Sequence, residues 1–378
     1  MIPGTLMPNN WVIFYYCDSG YILNSTKPVS VCINGDWTPP LPFCQASETE
    51  CFSHGDCSTN RTCILGKCMN SCEGLCGFNT ECDVIEHRPL CICKKGYLGN
   101  PFRGCILGDP ISTKLLLAQS TQVSVLDLTN SKIISTLRYD YQNPKENSPS
   151  VAYHFEKKYI FYAGSSQIFR DEIKTDSLAR VGEPKAVVDG VGVDSSAKLA
   201  VDWVHDKLYW MSHTSKTVEM SDLDGNNKTV LTKGLTFWWN LNNLVVEPYA
   251  GYLFLVSQDS LLRMNLDGSN LTALHLKGYN NRGVYVLTVD THKKRVYYSS
   301  WDLRNAVPFI DSCDYEGKNE KNIPIGDRWG EIHAVDVFRD ILYFGHFKRG
   351  QSDEVWSVDL TNPTPTPILI KTVEKVRA

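Results

Sequence analysis

The chain has 378 residues, a formal net charge of −4 and 14 cysteines, of which only Cys313 lies outside the interval from Cys17 to Cys105. The weakly acidic balance excludes a basic field that would attract nucleic acid, and no stretch approaches the ~20 consecutive apolar residues of a membrane span. Such a density of cysteine is typical of small secreted modules that cannot bury enough apolar surface to fold unaided. We therefore expect an extracellular chain with a disulfide-rich N-terminal part and a longer domain that has its own core.

The first cysteines belong to a pattern that covers residues 11–44. It consists of Cys17, Gly20, Tyr21, Cys32, Gly35, Trp37, Pro42 and Cys44. This pattern resembles the second part of a sushi (complement-control) module, which we place at residues 1–45. The resemblance implies a Cys17–Cys44 disulfide and leaves the state of Cys32 open. Because the opening sequence has neither the first part of such a module nor a signal peptide, we expect the true N-terminus to lie upstream.

A second group of cysteines follows within residues 46–70. Its members are Cys51, Cys57, Cys63 and Cys68. Four cysteines allow three connectivities, of which Cys51–Cys63 with Cys57–Cys68 would tie the segment into a knot. Four thiolates could also bind zinc, but the segment has no Cys-x-x-Cys pair, which favours disulfides.

Residues 71–106 carry the clearest cysteine pattern, C-x3-C-x5-C-x8-C-x-C-x11-C, with Gly96 and Tyr97 before the last cysteine. This pattern resembles an EGF-like domain. The resemblance implies three disulfides, which are Cys72–Cys82, Cys76–Cys91 and Cys93–Cys105. Calcium-binding EGF domains carry an acidic signature that is missing here, since Val84 stands at one of its positions. We therefore expect no metal and no cofactor.

One phrase recurs in the rest of the chain, and its copies start at Ser150, Lys198, Asn243, Val286 and Ile332. Each copy predicts a short apolar strand, a polar turn and an aromatic-rich strand. A third strand then ends in a turn, as at 221–225, 265–268 and 314–317, and a weaker first copy covers 114–130. Six units of this size predict a mainly β fold, a six-bladed β-propeller over residues 110–378.

The most regular copy reads LAVDW (199–203), LYW (208–210) and LDG (223–225). It resembles the YWTD propeller of the low-density lipoprotein receptor family (class B repeats), in which an EGF-like module commonly adjoins the propeller. The resemblance implies that the chain after the sixth blade supplies the innermost strand of the first. Residues 365–378 account only for the outer strand of the last blade, so we expect the closing strand beyond Ala378.

Propellers of this kind bind partners on the loops that join strand four to the next strand one and strand two to strand three. Here those loops contain tryptophan and basic residues, a composition typical of interface hot spots. The predicted ligand-face residues are Trp238, Trp239, Arg282, Trp301, Arg304, Arg328, Trp329, Lys348 and Arg349. Alternatively, several of the tryptophans cap hydrophobic layers between blades. The aromatic residues of the second strands are expected in the core: Tyr209, Trp210, Phe254, Tyr297, Tyr298, Tyr343 and Phe344.

Four acidic residues occupy the same position in the innermost strands: Asp202, Glu247, Asp290 and Asp336. They could ring a central channel and hold Ca²⁺, as in six-bladed hydrolases. The favoured alternative is structural, with each acid hydrogen-bonded inside its blade, because the position recurs throughout the family. We find no nucleophile or metal-ligand motif and expect no enzyme activity. Cys313 is expected to be a buried free thiol rather than an intermolecular bridge.

Four N-x-S/T sequons, at Asn24, Asn60, Asn227 and Asn270, lie in predicted turns or loops and suggest a glycoprotein. The resemblance implies a non-enzymatic ligand-binding module of a cell-surface receptor, with an extracellular protein as its partner. A role in assembling extracellular matrix or basement membrane is the alternative. A calcium-dependent propeller hydrolase is a remote third possibility.

Overall fold

The computed structural model divides into two compact units. The first comprises residues 1–108 with 203–206 and 248–250, and we call it the N-terminal unit; the remainder is the propeller unit. The residues that it describes are 10–18, 21–25, 27–33, 36–39, 42–46, 50–72, 74–85, 87–107, 114–119, 122–138, 150–164, 166–174, 179–189, 197–212, 215–233, 241–257, 260–274, 282–302, 307–326, 329–338, 340–347 and 353–373.

The N-terminal unit consists of short strands. They are β1 (Val12–Phe14), β2 (Tyr21–Leu23), β3 (Val29–Ile33), β4 (Asp36–Thr38), β5 (Cys44–Ala46), β6 (Thr62–Ile64), β7 (Lys67–Met69), β8 (Thr80–Ile85), β9 (Arg88–Cys93), β10 (Tyr97–Asn100) and β11 (Gly104–Leu107). They pair as β1-β3-β4, β2-β5, β6-β7, β8-β9 and β10-β11. Because sheets of two or three short strands bury little apolar surface, this unit needs other cross-links.

Disulfides supply those cross-links. They join Cys17–Cys44, Cys51–Cys63, Cys57–Cys68, Cys72–Cys82, Cys76–Cys91 and Cys93–Cys105. The first and the last three are the pairs that the resemblances imply, and the middle two are one of the three connectivities that the sequence left open. In the described part of the chain, the clusters with metal-ligand geometry consist of cysteines that already form these disulfides.

The cysteine-rich segments share a core. Val29 and Val31 of β3 cluster with Leu75 and Cys91 of the EGF-like segment, and all four side chains are buried. The EGF-like segment is also tied to the four-cysteine segment, since the His87 backbone N–H donates to the Thr59 carbonyl at 2.9 Å. The three segments therefore form one folded unit.

The propeller unit consists of six antiparallel sheets in chain order. The first is β12 (Lys114–Gln119), β13 (Gln122–Asp127) and β14 (Lys132–Arg138); the second is β15 (Val151–His154), β16 (Tyr159–Ala163), β17 (Gln167–Ile173) and β18 (Arg180–Asp189); the third is β19 (Lys198–Asp202), β20 (Lys207–Ser212), β21 (Thr217–Asp222) and β22 (Thr229–Lys233). The fourth is β23 (Leu241–Glu247), β24 (Tyr252–Ser257), β25 (Ser260–Asn265) and β26 (Thr272–Leu274); the fifth is β27 (Arg282–Asp290), β28 (Arg295–Asp302), β29 (Val307–Asp314) and β30 (Lys321–Ile323); the sixth is β31 (Glu331–Phe338), β32 (Ile341–Phe347), β33 (Asp353–Asp359) and β34 (Ile368–Val373).

Apolar layers between successive sheets hold this unit together. One cluster joins the first two sheets through Val125 and Ile160, and a second joins the third and fourth through Tyr209 and Leu253. A third cluster joins the fifth and sixth sheets around Trp329. Each sheet thus buries its inner faces against neighbours, which confirms the predicted β-propeller architecture.

Three turns repeat between the third and fourth strands, and we call residues 222–225, 265–268 and 314–317 the glycine turns. Each ends in a glycine with positive φ: Gly225 (85°), Gly268 (85°) and Gly317 (72°). A Cβ on Gly225 would meet the Val187 carbonyl oxygen at 1.5 Å, and one on Gly268 would meet the Leu231 carbonyl oxygen at 2.9 Å. Glycine is therefore required both for backbone conformation and for close packing against the outer strand of the preceding sheet.

The last described strand, β34, pairs with β33 as the outer strand of the sixth sheet, as predicted for this segment. The first sheet has three strands among the residues that the structure describes.

Candidate ligand-binding face

The antiparallel order of each sheet places its connections at two different ends. We call the end with the glycine turns, where first strands also lead to second strands, the turn end. The loop end is the opposite one, where second strands lead to third strands and each sheet leads to the next. Among the connections at the loop end are 234–240, 303–306, 327–330 and 348–352, which contain most of the predicted ligand-face residues.

Two predicted ligand-face residues lie at the loop end of the fifth sheet. Arg282 begins β27 and pairs with Asp302, while Trp301 of β28 pairs with Gly283. Trp301 is half-buried. Buried Asp311 stabilises this part of the sheet, because its carboxylate accepts hydrogen bonds from Ser300 Oγ (2.9 Å) and Asn322 Nδ2 (2.8 Å). Trp301 therefore follows an anchored residue of β28, and Arg282 begins the neighbouring strand, where its backbone pairs with Asp302.

Trp329 lies in the core rather than on an exposed face. Only 6% of it is accessible, and its ring lies 4.8 Å from that of Trp356 and 5.2 Å from that of Phe344. The indole Nε1 donates to the Ile325 carbonyl at 2.6 Å. Trp329 therefore closes the layer between the fifth and sixth sheets, which is the alternative role considered for these tryptophans, and it does not belong to the ligand face.

The other predicted ligand-face residues lie outside the described residues. They are Trp238, Trp239, Arg304, Arg328, Lys348 and Arg349. Their membership of the face stays a prediction.

Each of the four recurrent acids acts electrostatically on a tyrosine. Burial raises the pKa of each tyrosine, and the negative charge of the acid raises it further. The pairs are Asp202 with Tyr209, Asp336 with Tyr343, Glu247 with Tyr315 and Asp290 with Tyr297, and the pKa of Tyr297 rises to about 12. Asp336 Oδ1 also accepts a hydrogen bond from Thr288 Oγ1 of the preceding sheet at 3.0 Å, so at least one acid is bound across blades rather than inside its own. Asp290 Oδ1 accepts a hydrogen bond from the Lys293 backbone N–H at 3.0 Å, inside its own sheet. The hydrogen bonds of Asp290 and Asp336 support a structural role.

The core predictions for the second strands hold with one exception. Tyr209, Trp210, Phe254, Tyr297, Tyr298 and Phe344 are all buried. Tyr343 is only half-buried. Cys313 is fully buried as a free thiol, as predicted, and burial raises its pKa to about 12.

The four sequons differ in surroundings. Asn24 is half-buried, and its side-chain carbonyl accepts a hydrogen bond from the Phe43 backbone N–H at 2.7 Å. Asn60, Asn227 and Asn270 are exposed. Asn227 and Asn270 directly follow two of the glycine turns and share a positive φ, 55° and 54°. Both therefore lie at the turn end of the propeller unit.

A cleft in the N-terminal unit was not predicted from the sequence. Tyr15, Tyr16, Tyr21, Phe52 and His54 line it together with neighbouring residues. The run of aromatic residues before Cys17 was the available signal, but it gave no indication that the sushi and four-cysteine segments meet there.

Comparison with known proteins gives matches to both parts of the chain. A family model, the sushi repeat (SCR repeat), matches residues 9–44. Low-density lipoprotein receptor-related protein 5 of Mus musculus is 27% identical over 146 residues, which are 38% of this chain and 8% of that protein. Among solved structures, a nidogen/laminin complex is similar, with a TM-score of 0.54 and 18% identity over 69% of this chain and 93% of the other. A putative TolB from Agrobacterium tumefaciens has a TM-score of 0.53 and 11% identity over 68% and 91% of the two chains.

The chain joins a segment that matches the sushi repeat to a β-propeller, and 38% of it is similar to a protein related to the low-density lipoprotein receptors. This sushi–propeller chain is thus an extracellular module related to those receptors, and it spans less than a tenth of the length of the receptor that it matches. Within the described residues, no helix has the length and apolar character needed to cross a membrane.

Proposed function

We propose that the sushi–propeller chain is a non-enzymatic binding module that captures an extracellular protein at the loop end of its propeller unit. The contrast between the two ends supports this proposal. At the turn end, the glycine turns are packed against the preceding sheets and leave little room for variation. The loop end instead has tryptophan and arginine in its connections and, at the fifth sheet, Trp301 next to anchored Ser300 and Arg282 at the start of the neighbouring strand. Binding surfaces usually combine such connecting segments with a rigid scaffold.

The sequons favour the same end. Glycans at exposed Asn227 and Asn270 would extend from the turn end. A branched glycan is bulky and hydrated, so two of them would obstruct protein contacts there. The loop end has no sequon in its predicted ligand-face connections and would stay accessible. In this proposal the segments 1–45, 46–70 and 71–106 support the propeller unit and present it to its partner.

A role in matrix assembly is the second candidate. A solved structure that is similar to this chain is that of a nidogen/laminin complex, and this likeness supports a matrix protein as the partner. A matrix role and a receptor role both require a protein-binding face. Laminin is therefore a suitable probe to include in a binding test.

The experiment uses the glycosylated 378-residue chain secreted from animal cells. The immobilised chain is titrated with a panel of purified extracellular domains that includes laminin, and equilibrium binding is measured. For any saturable ligand we compare R282E with K318E. Both substitutions reverse the charge of a basic residue in the fifth sheet, but Lys318 is exposed at the turn end.

The proposal expects R282E to weaken binding at least tenfold, and K318E to leave it within about twofold. The reverse order would overturn the assignment of the face. Calcium-dependent ester hydrolysis that is lost in D202N would overturn the non-enzymatic assignment and favour the hydrolase alternative. Binding to laminin alone would favour matrix assembly over a receptor role.

A further inference from the structure

We propose that the cleft of the N-terminal unit is a second binding site, which takes an arginine side chain from an extended segment of a partner protein. This aromatic cleft is lined by Tyr15, Tyr16, Tyr21, Phe52 and His54, with Cys17, Leu23, Ser53, Cys63, Leu65 and Gly66 between them. The site lies on the N-terminal unit and does not depend on the proposed function of the propeller unit.

The exposure of the rings is unusual for a folded module. Tyr16 is 75% accessible, Tyr21 50% and Phe52 42%, although all three line the same cleft. Large aromatic side chains normally bury most of their surface, and exposed groups of them mark interaction sites. Arginine is the side chain that best fits such a surface, because its planar guanidinium stacks on aromatic faces.

A polar group at the cleft lacks a partner. Within the described residues, no hydrogen bond reaches the buried hydroxyl of Tyr15. A buried hydroxyl without a partner is costly, and it can accept a hydrogen bond from a guanidinium N–H. An arginine in the cleft would therefore meet aromatic faces, and a shift of the Tyr15 ring would add an acceptor.

The charges around the cleft favour a cation. Exposed carboxylates outnumber exposed cations three to one among the described residues next to the lining ones or hydrogen-bonded to them. Asp18 follows Cys17, the Glu50 N–H donates to the Gly66 carbonyl at 2.7 Å, and Asp56 Oδ2 accepts from the backbone N–H groups of Phe52 and Ser53, whereas Lys67 follows Gly66. No lysine or arginine is among the lining residues. A basic segment would thus be attracted to this surface and an acidic one repelled.

His54 does not oppose a cation at neutral pH. Its ring lies 6.5 Å from those of Tyr16 and His87, and burial, with a smaller effect from His87, lowers the pKa of His54. The ring is therefore uncharged above its usual titration range and adds another π-face to the cleft.

The test uses the full 378-residue chain and two tripeptides, acetyl-Gly-Arg-Gly-amide and its citrulline analogue. Citrulline has nearly the same shape as arginine but no charge. Saturation-transfer NMR and isothermal titration measure binding of each peptide to the native chain and to Y16A, E50Q and F78A. Phe78 is 62% exposed in the same unit and does not line the cleft, so F78A is the matched control.

We expect the arginine peptide to bind about tenfold more tightly than the citrulline peptide. Y16A should remove this preference, E50Q should reduce it about twofold to threefold, and F78A should leave it unchanged. Equal binding of the two peptides, or a preference that survives both Y16A and E50Q, would overturn the proposal. Disulfide mapping checks that each variant is folded, and E50Q, an exposed substitution, keeps the test valid if Y16A misfolds.

Discussion

The two units of this chain are stabilised in different ways. The N-terminal unit has small sheets that are cross-linked by disulfides, and its core includes a modest cluster around Val29 and Val31. The propeller unit has larger sheets, apolar layers between them, and a cysteine, Cys313, that is buried and free. The first unit should therefore depend on its redox environment, whereas the second should depend on close packing. Each of the following predictions tests that contrast, from the largest expected effect to the smallest.

Reduction of the disulfides should give the largest difference in stability between the two units. Loss of a native disulfide from a small secreted domain costs about 2–5 kcal/mol, and the N-terminal unit has several. We expect a strong reductant to abolish its thermal transition and to leave that of the propeller unit in place. Scanning calorimetry with and without reductant measures both. Loss of both transitions would show that the propeller unit also depends on the disulfides.

A methyl group at a glycine turn should have the largest effect within the propeller unit. In G225A, the new Cβ meets the Val187 carbonyl oxygen at 1.5 Å at a residue whose φ is 85°. We expect a destabilisation of about 3 kcal/mol, from left-handed backbone strain and overpacking together. G251A is the control, because Gly251 has a φ of 76° but a Cβ added there would have no atom within 4 Å. G251A should lower the free energy of unfolding by only about 1–2 kcal/mol. Urea unfolding measures both variants, and an equal destabilisation of the two would contradict the packing argument.

Arg263 should contribute less, through contacts between the fourth and fifth sheets. Its guanidinium lies 4.6 Å from the centre of the Tyr252 ring and donates to the Tyr315 carbonyl at 2.9 Å. We expect R263A to lower the free energy of unfolding by about 1–2 kcal/mol. K185A should change it by no more than about 0.5 kcal/mol, because the ion pair of Lys185 with Asp224 is exposed. Urea unfolding measures both variants. If K185A lowers the free energy of unfolding as much as R263A, the contact between Arg263 and the Tyr252 ring adds no stability.

The last prediction concerns the reactivity of Cys313 and involves no change in stability. Burial raises the pKa of this thiol to about 12, so at pH 8 it is neither ionised nor accessible. We expect iodoacetamide to label Cys313 only after denaturation, as measured by mass spectrometry. Rapid labelling of the native chain would show that the propeller unit opens locally at β29.

Much of the fold could be predicted because each sheet must bury its first two strands, so the same pattern of apolar residues recurs along the chain. The copies starting at Lys198 and Val286 show the alternation of a strand, a turn and an aromatic strand, and the structure has β19–β20 and β27–β28 there. The outer strands were harder to predict, because β26 (Thr272–Leu274) and β30 (Lys321–Ile323) are short and largely exposed.

The candidate sites were only partly predictable. Composition cannot distinguish a tryptophan that closes a layer, such as Trp329, from one nearer the surface, such as Trp301, since burial is set by contacts between sheets. The aromatic cleft was missed for a similar reason. It forms where Tyr16 and Phe52, which belong to different cysteine-rich segments, are brought together by the fold.

The glycine turns have a mechanical consequence. They connect the second sheet to the third, the third to the fourth and the fourth to the fifth, since Gly225, Gly268 and Gly317 pack against Val187, Leu231 and Leu274. The corresponding turn of the first sheet ends in Asn130 and Ser131, and that of the sixth in Thr361 and Asn362, so neither has this glycine. If the chain is stretched between its ends, the first and sixth sheets should detach before the middle ones, because apolar layers join them to their neighbours without a glycine turn. The four middle sheets should then break together, as one interlocked block, at a higher force.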